Sequence, residues 1–388
     1  MSYLDSTRDL LGTLVSHPTV SSDGNLDLMA VMAERLEHAG ARVEVLHDAT
    51  GQKANLFATI GPEAPGGIML SGHSDVVPVT DQPWSADPFA MWEDDGRLYG
   101  RGTCDMKGFI AACIAMAPTF AARQLTRPVH FAFTHDEEIG CLGAQGLARI
   151  LREREARPDL AIVGEPTLMR IIEGHKGCCE YKVTFTGQEG HGSRPDLGVN
   201  ASEYAARYVT RLLELREALK HRAPPGSRFE PPWTTINLGR LSGGHAPNVI
   251  PGHAEVEWEM RPVQQADADF VNRVIRAYSE DILLPEMRRT CPEAMIATEI
   301  LGEVAGLEPM EQNAALQLVS ELTGANGADL VAFGTEAGLF QEIGMDVVVC
   351  GPGSIEQAHK PDEYIEMTQL SACLDMLHGL ADRITAHG

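Results

Sequence analysis

One recurrence constrains this chain more than any other feature: short apolar runs that each end in a histidine or a carboxylate. The run Ile68-Met69-Leu70-Ser71-Gly72 delivers His73-Ser74-Asp75. Val129–Thr134 delivers His135-Asp136-Glu137-Glu138, and Leu160–Val163 delivers Gly164-Glu165-Pro166. Val347–Cys350 is followed, one loop later, by His359. Apolar runs of this length bounded by turn residues read as buried strands. Helical spacing lies between them, from Phe109 to about Ala122 and from Leu142 to Arg154. That βα alternation predicts an α/β domain with a doubly wound sheet. Ligands of such sheets bind beyond the carboxyl ends of the strands, so these polar tips are predicted to converge at one edge.

Each tip has a bland explanation when taken alone. A lone His-x-Asp is a strand-end histidine satisfied by a nearby acid, Asp105 is a helix N-cap, and Glu137-Glu138 is an exposed acidic turn. Their coincidence is the signal. Asp105 sits among Gly100, Gly102 and Gly108, which permit an unusual backbone around it. Consecutive buried carboxylates are costly unless something positive sits among them. Imidazole and carboxylate are zinc ligands, and a carboxylate can also hold the outer N–H of a ligand histidine.

The remaining pattern divides the chain. Residues 4–16 and 26–39 have helical spacing, and Arg42–Leu46 and Asn55–Ile60 read as strands. After Gly177 the order becomes strand (180–186), helix (201–219), strands (234–241 and 254–260), helix (267–282) and strand (293–300). That β-α-β-β-α-β order is ferredoxin-like, and the segment shows no metal-type constellation. The expected division is a catalytic domain of residues 1–176 and 306–388, interrupted by an insert of residues 177–305.

Composition narrows the function. A formal net charge of −24 over 388 residues argues against nucleic acid or an anionic membrane as partner and suits a site for cations. The eight cysteines form no C-x-x-C pair and read as reduced thiols. The first twenty residues carry charges and no signal-type apolar stretch, and no run reads as a membrane span, so a cytoplasmic protein is expected. A G-x-S-x-G elbow and an H-E-x-x-H helix are both missing, which disfavours a serine hydrolase and a helical zinc protease.

Five segments together resemble the dinuclear zinc hydrolases that include aminoacylase, carboxypeptidases, succinyl-diaminopimelate desuccinylase and acetylornithine deacetylase. They are S-G-H-S-D-V-V-P (71–78), L-Y-G-R-G-T-C-D-M-K-G (98–108), T-H-D-E-E-I-G (134–140), G-E-P (164–166) and A-H-K-P-D-E-Y (358–364). F-G-T-E-A-G (333–338) and the stretch 351–364 look most like the last-named member. The resemblance implies two divalent ions, zinc first, with cobalt or manganese as alternatives. His73 and Glu165 would hold one ion, Glu138 and His359 the other, and Asp105 would bridge them, often with a cis peptide after it. Asp75 would orient His73, and Glu137 would be the general base. Two ions about 3.5 Å apart can share a bridging carboxylate and activate water without a serine or cysteine nucleophile.

The resemblance also implies a homodimer joined through the insert, acting as dimerisation and lid domain. His191 would reach the partner's site and stabilise the oxyanion. Asn248 and Arg261 match substrate-contacting positions, the latter suited to a carboxylate; their ordinary roles would be a capping Asn and a surface Arg. Glu336 is a speculative receiver for a substrate ammonium. The implied reaction is hydrolysis of an N-acyl amide on a small amino acid, N2-acetyl-L-ornithine first, in arginine biosynthesis. Alternatives are another N-acyl-amino-acid amidohydrolase or dipeptidase of the family and, from a different class, a non-catalytic amino-acid or peptide binder.

Overall fold

Four of the apolar runs lie side by side and point the same way. In spatial order they are Val129–Thr134, Ile68–His73, Leu160–Pro166 and Asp346–Gly351, all parallel. The first three are buried at every residue. That is what strands covered on both faces require, and it is why their sequences run apolar instead of alternating. Ala54–Ile60 and Arg42–His47 extend one edge of the sheet antiparallel. The short strands Ile172–His175 and Asp329–Val331 complete eight strands at the other edge. The sheet is therefore mixed, with its parallel part at the centre. This computed structural model describes residues 2–386.

Two units divide the chain. One comprises everything up to Gly174, Pro309–Leu330 and the chain from Thr335; the other comprises His175–Glu308 with Val331–Gly334. In the first, the helices Tyr3–Val15, Leu26–His38, Gly108–Ala121 and Met367–Arg383 bury their apolar faces in one core with the sheet. Gly108–Ala121 is the most enclosed of them, with Phe109, Ile110, Cys113 and Phe120 out of solvent. Each such aromatic side chain contributes roughly 1.5–3 kcal/mol by leaving water. One helix bears on the expectation that no run spans a membrane. Thr103–Ala121 is long and apolar enough to cross a membrane, yet 78% of that window is buried inside the fold. Its Gly108–Ala121 part is the core helix, and the apolarity reflects burial on all sides.

Three short strands, which form a sheet of their own, escaped the sequence reading. Trp92–Asp94 pairs with Arg97–Tyr99, which pairs in turn with Tyr364–Glu366. Three-residue strands hold too few positions to show a period.

The second unit is built on a four-stranded antiparallel sheet, in the order Thr235–Gly243, His253–Arg261, Cys178–Thr186, Met295–Val304. Numbered along the chain these are strands 2-3-1-4, the ferredoxin-like arrangement. Cys179, Tyr181, Val183 and Phe185 alternate inward, as do Ala254, Val256, Trp258 and Met260. They form one core with the helices Ala201–Leu219 and Gln265–Ala277. A period of two on the strands and an apolar stripe on each helix made this unit legible.

Two predictions follow from the first unit's packing. A Cβ at Gly164 would lie 2.0 Å from Cγ of Phe109, closer than any real contact. Gly164→Ala should therefore destabilise the protein by at least the 1–3 kcal/mol or so typical of overpacking. Phe109→Ala alone should cost about 3–5 kcal/mol. In urea unfolding the double variant should lose clearly less than the sum, because removing the ring makes room for the methyl; strictly additive losses would contradict the contact. The second concerns His130, which stacks on Phe57, has Nδ1 2.9 Å from Thr59 Oγ1, and is held by burial at a pKa of about 4. The unfolded ring titrates near 6.5. Its neutral form thus stabilises the fold fully above that pH, and the contribution is lost as pH falls from there towards 4, by up to about 1.4 kcal/mol per pH unit. His130→Phe should flatten the acid side of the stability profile, and an unchanged slope would refute this.

Candidate metal centre

The carboxyl ends of the parallel strands gather the predicted tips. His73 closes its own strand and is 1% exposed. Glu165 projects from the end of the neighbouring strand, where close packing of Gly164 on Phe109 leaves no room for a larger residue. Asp105 reaches the same place from a kinked turn, Thr103–Lys107. Its backbone is non-helical (φ −119°, ψ 92°) and the Asp105–Met106 peptide is cis. Asp105 is thus no N-cap. Glu137 and Glu138 lie in the turn after Val129–Thr134, and His359 lies in the loop after Asp346–Gly351.

The side chains converge. His73 Nε2 is 2.9 Å from Asp105 Oδ1 and 3.8 Å from Glu165 Oε1. His359 Nε2 is 3.0 Å from Glu138 Oε2 and 3.4 Å from Asp105 Oδ2. Asp105 therefore offers one oxygen to each imidazole. The potential ligand atoms of His73, Asp105 and Glu138 all lie within 4.8 Å of one another, as do those of His73, Glu137 and Glu165.

The electrostatics of this cluster are unbalanced. Burial pushes Glu137, Glu138 and Glu165 above the usual carboxylate range, and the neighbouring acids add to it. Burial also opposes charge on His73, but hydrogen bonds to Asp105 and Asp75 outweigh it and raise the ring's pKa. Hydrogen bonds to Asp105 and Glu138 hold His359 up at about 10. Glu165 Oε1 is buried without a hydrogen-bond partner. Mixed N and O donors, excess negative charge and an orphaned oxygen aimed at an imidazole nitrogen are what a divalent cation would satisfy. The residues fit a pair of such ions that share Asp105.

Asp75 has more partners than the expectation named. His73 Nδ1 is 2.9 Å from the backbone carbonyl of Asp75, with the carboxylate Oδ1 farther off at 3.6 Å. The Asp75 carboxylate also accepts the backbone N–H groups of Glu137 (3.1 Å) and Glu138 (3.3 Å) and the Ser21 hydroxyl (2.7 Å). It anchors the turn that aims the two glutamates. Lys53 braces the same turn, donating to Asp136 Oδ1 and to the Ser21 carbonyl, each at 2.6 Å. No spacing in the sequence marks Ser21 or Lys53, because their contacts cross tens of residues.

Glu336 is fully enclosed. Its two oxygens accept from Ser71 Oγ (2.6 Å) and Thr134 Oγ1 (2.7 Å), which ties two strand ends together beneath the cluster. A substrate ammonium would have to displace one of those hydroxyls to reach it.

His191, Asn248 and Arg261 belong to the other unit. His191 is exposed, pairs with Val249 in a two-residue ladder, and has Nδ1 2.7 Å from Ser193 Oγ. Gly192 N–H donates to the Asn248 carbonyl at 2.8 Å, so these two loops are joined. Arg261 ends its strand and donates to Glu259 from Nε (3.0 Å) and Nη2 (2.7 Å). That unit also corrects an expectation. Cys178, Glu180 and Glu259 bring potential ligand atoms within 4.8 Å of one another, though Arg261 already partners Glu259.

Residues 69–383 match the family described as Peptidase family M20/M25/M40. The chain belongs to this family. A protein of Photorhabdus laumondii subsp. laumondii named acetylornithine deacetylase is 34% identical over 98% of this chain and 96% of its own length. One of Shigella sonnei with the same name is 35% identical over 92% of each chain. A solved Bacillus subtilis structure, described as a dinuclear metal binding peptidase of the M20 family, superposes with a TM-score of 0.65 at 18% identity, covering 99% of this chain and 98% of that one. The M20/M25/M40 chain described here is accordingly a hydrolase.

Asp75→Asn tests the anchoring contact. An amide offers one acceptor where the carboxylate offers two, so one buried N–H of the Glu137–Glu138 turn loses its partner. The metal-free variant should lose about 1–3 kcal/mol in urea unfolding. An unchanged midpoint would show that the turn does not depend on Asp75.

Proposed function

We propose that this chain hydrolyses the N-acyl amide of a small amino acid, with N2-acetyl-L-ornithine as substrate and L-ornithine and acetate as products. The observation that carries the reading is the cage of His73, Asp105, Glu138, Glu165 and His359 with Glu137 beside it. Supporting the choice of substrate are the two relatives above, which are 34% and 35% identical over nearly the whole chain. In this reading the chain serves arginine biosynthesis in the cytoplasm.

Two divalent ions, zinc in this reading, would supply Lewis acidity towards the amide carbonyl and a water that deprotonates near neutral pH. His73 and Glu165 would hold one, Glu138 and His359 the other, with Asp105 shared. Asp75 would fix the turn that lets Glu138 face the ions while Glu137 faces the substrate. Glu137 would take the proton of the attacking water as the new C–O bond forms. It would deliver that proton to the amide nitrogen as the C–N bond breaks, so the amine leaves neutral. The half-buried setting of Glu137 among other acids suits a group that must hold a proton between these steps. His191 would donate to the oxyanion of the tetrahedral intermediate, and Asn248 and Arg261 would position the substrate, Arg261 against its carboxylate.

A homodimer through the inserted unit completes the reading. Its sheet ends on the ten-residue strand Met295–Val304, which pairs on one side only among the described residues. That strand exposes Met295, Ile300 and Leu301, and such an edge invites a partner.

Glu137→Gln should keep its metal content by elemental analysis and lose turnover by about 10³-fold or more, in line with the loss of general acid–base catalysis. Near-normal turnover would remove its role as base. An amide-release assay across acetyl-ornithine, acetyl-citrulline, acetyl-methionine, succinyl-diaminopimelate and dipeptides tests the substrate. The highest kcat/KM should fall on acetyl-ornithine; a better substrate elsewhere in the panel would overturn the assignment.

A further inference from the structure

Two motif segments contain residues that the chemistry above leaves idle. L-Y-G-R-G-T-C-D carries Arg101 as well as Asp105, and A-H-K-P-D-E-Y carries Glu363 as well as His359. Both idle residues are out of solvent, Arg101 at 1% exposure and Glu363 at 0%. A buried charged pair is costly unless every donor and acceptor is used.

Here nearly all are used on one loop. Glu363 Oε1 accepts the backbone N–H groups of Cys104 (2.9 Å) and Asp105 (3.0 Å). Its Oε2 accepts the N–H of Gly102 (3.0 Å) and Arg101 Nη1 (2.7 Å). The Glu363 carbonyl accepts the N–H of Gly100 at 2.9 Å. The kink at Asp105 takes this turn out of helical geometry, so its N–H groups need acceptors from elsewhere. One carboxylate supplies them.

Arg101 carries the connection onward to His359. Its Nη2 donates to Gln82 Oε1 at 2.6 Å, and Gln82 Nε2 donates to the His359 carbonyl at 3.0 Å. Its Nη1 also reaches the Lys360 carbonyl at 3.4 Å. The Trp84 ring lies 5.0 Å from the guanidinium and fixes its plane. The backbone of Asp105 and the backbone of His359 are thus joined through Glu363, Arg101 and Gln82.

We propose that Glu363, Arg101 and Gln82 are positioning residues that set the spacing between Asp105 and His359, and so govern how tightly the ion held by Asp105, Glu138 and His359 is bound. The inference rests on the reading of the cage as a site for two ions. It predicts an asymmetry. The ion held by His73 and Glu165 has only Asp105 in common with this network, so loosening the His359 side through Gln82 should weaken one ion and spare the other, whereas loosening Glu363 also disturbs Asp105 and should weaken both.

The experiment is a calorimetric titration of the metal-free full-length protein with cobalt(II), with visible absorption followed in parallel. The proteins are wild type, Glu363→Gln and Gln82→Ala. Glutamine at 363 keeps the size but turns an acceptor into a donor facing the Gly102 N–H and Arg101. Gln82 is only partly buried, so Gln82→Ala preserves the fold if the first variant does not. Wild type should take up two ions. Gln82→Ala should keep one with wild-type affinity and bind the other about 10- to 100-fold more weakly, the range for residues that orient metal ligands, while Glu363→Gln, where it folds, should weaken both, with altered cobalt d–d bands in each. Gln82→Ala should fall at the weak end of that range. Two ions bound with wild-type constants in Gln82→Ala would overturn the inference and leave the cage standing, whatever the variant did to stability. Uptake of no ion by wild type would remove both.

Discussion

Everything in the first unit answers to one electrostatic constraint. Buried Asp105 and Glu165 and half-buried Glu137 and Glu138 crowd together with buried His73 and the more exposed His359 at the carboxyl edge of a parallel sheet. Carboxylates taken out of water at that density cannot all stay charged on their own. Burial raises three of them above their ordinary range, and among the described residues one oxygen of Glu165 has no hydrogen-bond partner. Protons or cations must make up the difference. Cations do so while leaving the acids in the form that binds them, and this is why the same cluster is both an instability and a site.

A site that strained holds its shape only if its surroundings are fixed. Each loop that brings a polar tip is tied by a buried side chain from a distant part of the chain. Asp75 holds the Glu137–Glu138 turn by two backbone N–H groups, and Lys53 braces the residue before it. Glu336 joins the strand ends at Ser71 and Thr134. Glu363 holds the kinked loop of Asp105. Acidic residues do much of this work because a carboxylate can accept several N–H groups at once, which no neutral side chain matches.

This layering explains what could be read in the sequence. The apolar runs ending at His73, Thr134 and Val163 were legible because a strand buried on both faces must be apolar throughout. Their polar ends were legible as departures from that rule. The second unit could be read from its alternation. The Thr103–Lys107 turn could not: the glycines around Asp105 showed that the backbone had freedom, while its actual path depends on Glu363, some 258 residues on. Asp75 was paired with His73 by the resemblance. Its carboxylate also holds a turn 62 residues away, and no local pattern records that. Glu336 reads locally as a helix-start acid and is in fact a tie between strands. Residues that would meet the ions announce themselves by type and spacing; residues that hold those in place are defined by the fold.

The most direct test of the central claim is anomalous scattering from crystals grown with zinc, with data collected on both sides of the zinc absorption edge. The account predicts two anomalous peaks sharing Asp105, one against His73 and Glu165 and the other against Glu138 and His359. Peaks located elsewhere, or none within the cage at full zinc saturation, would contradict it.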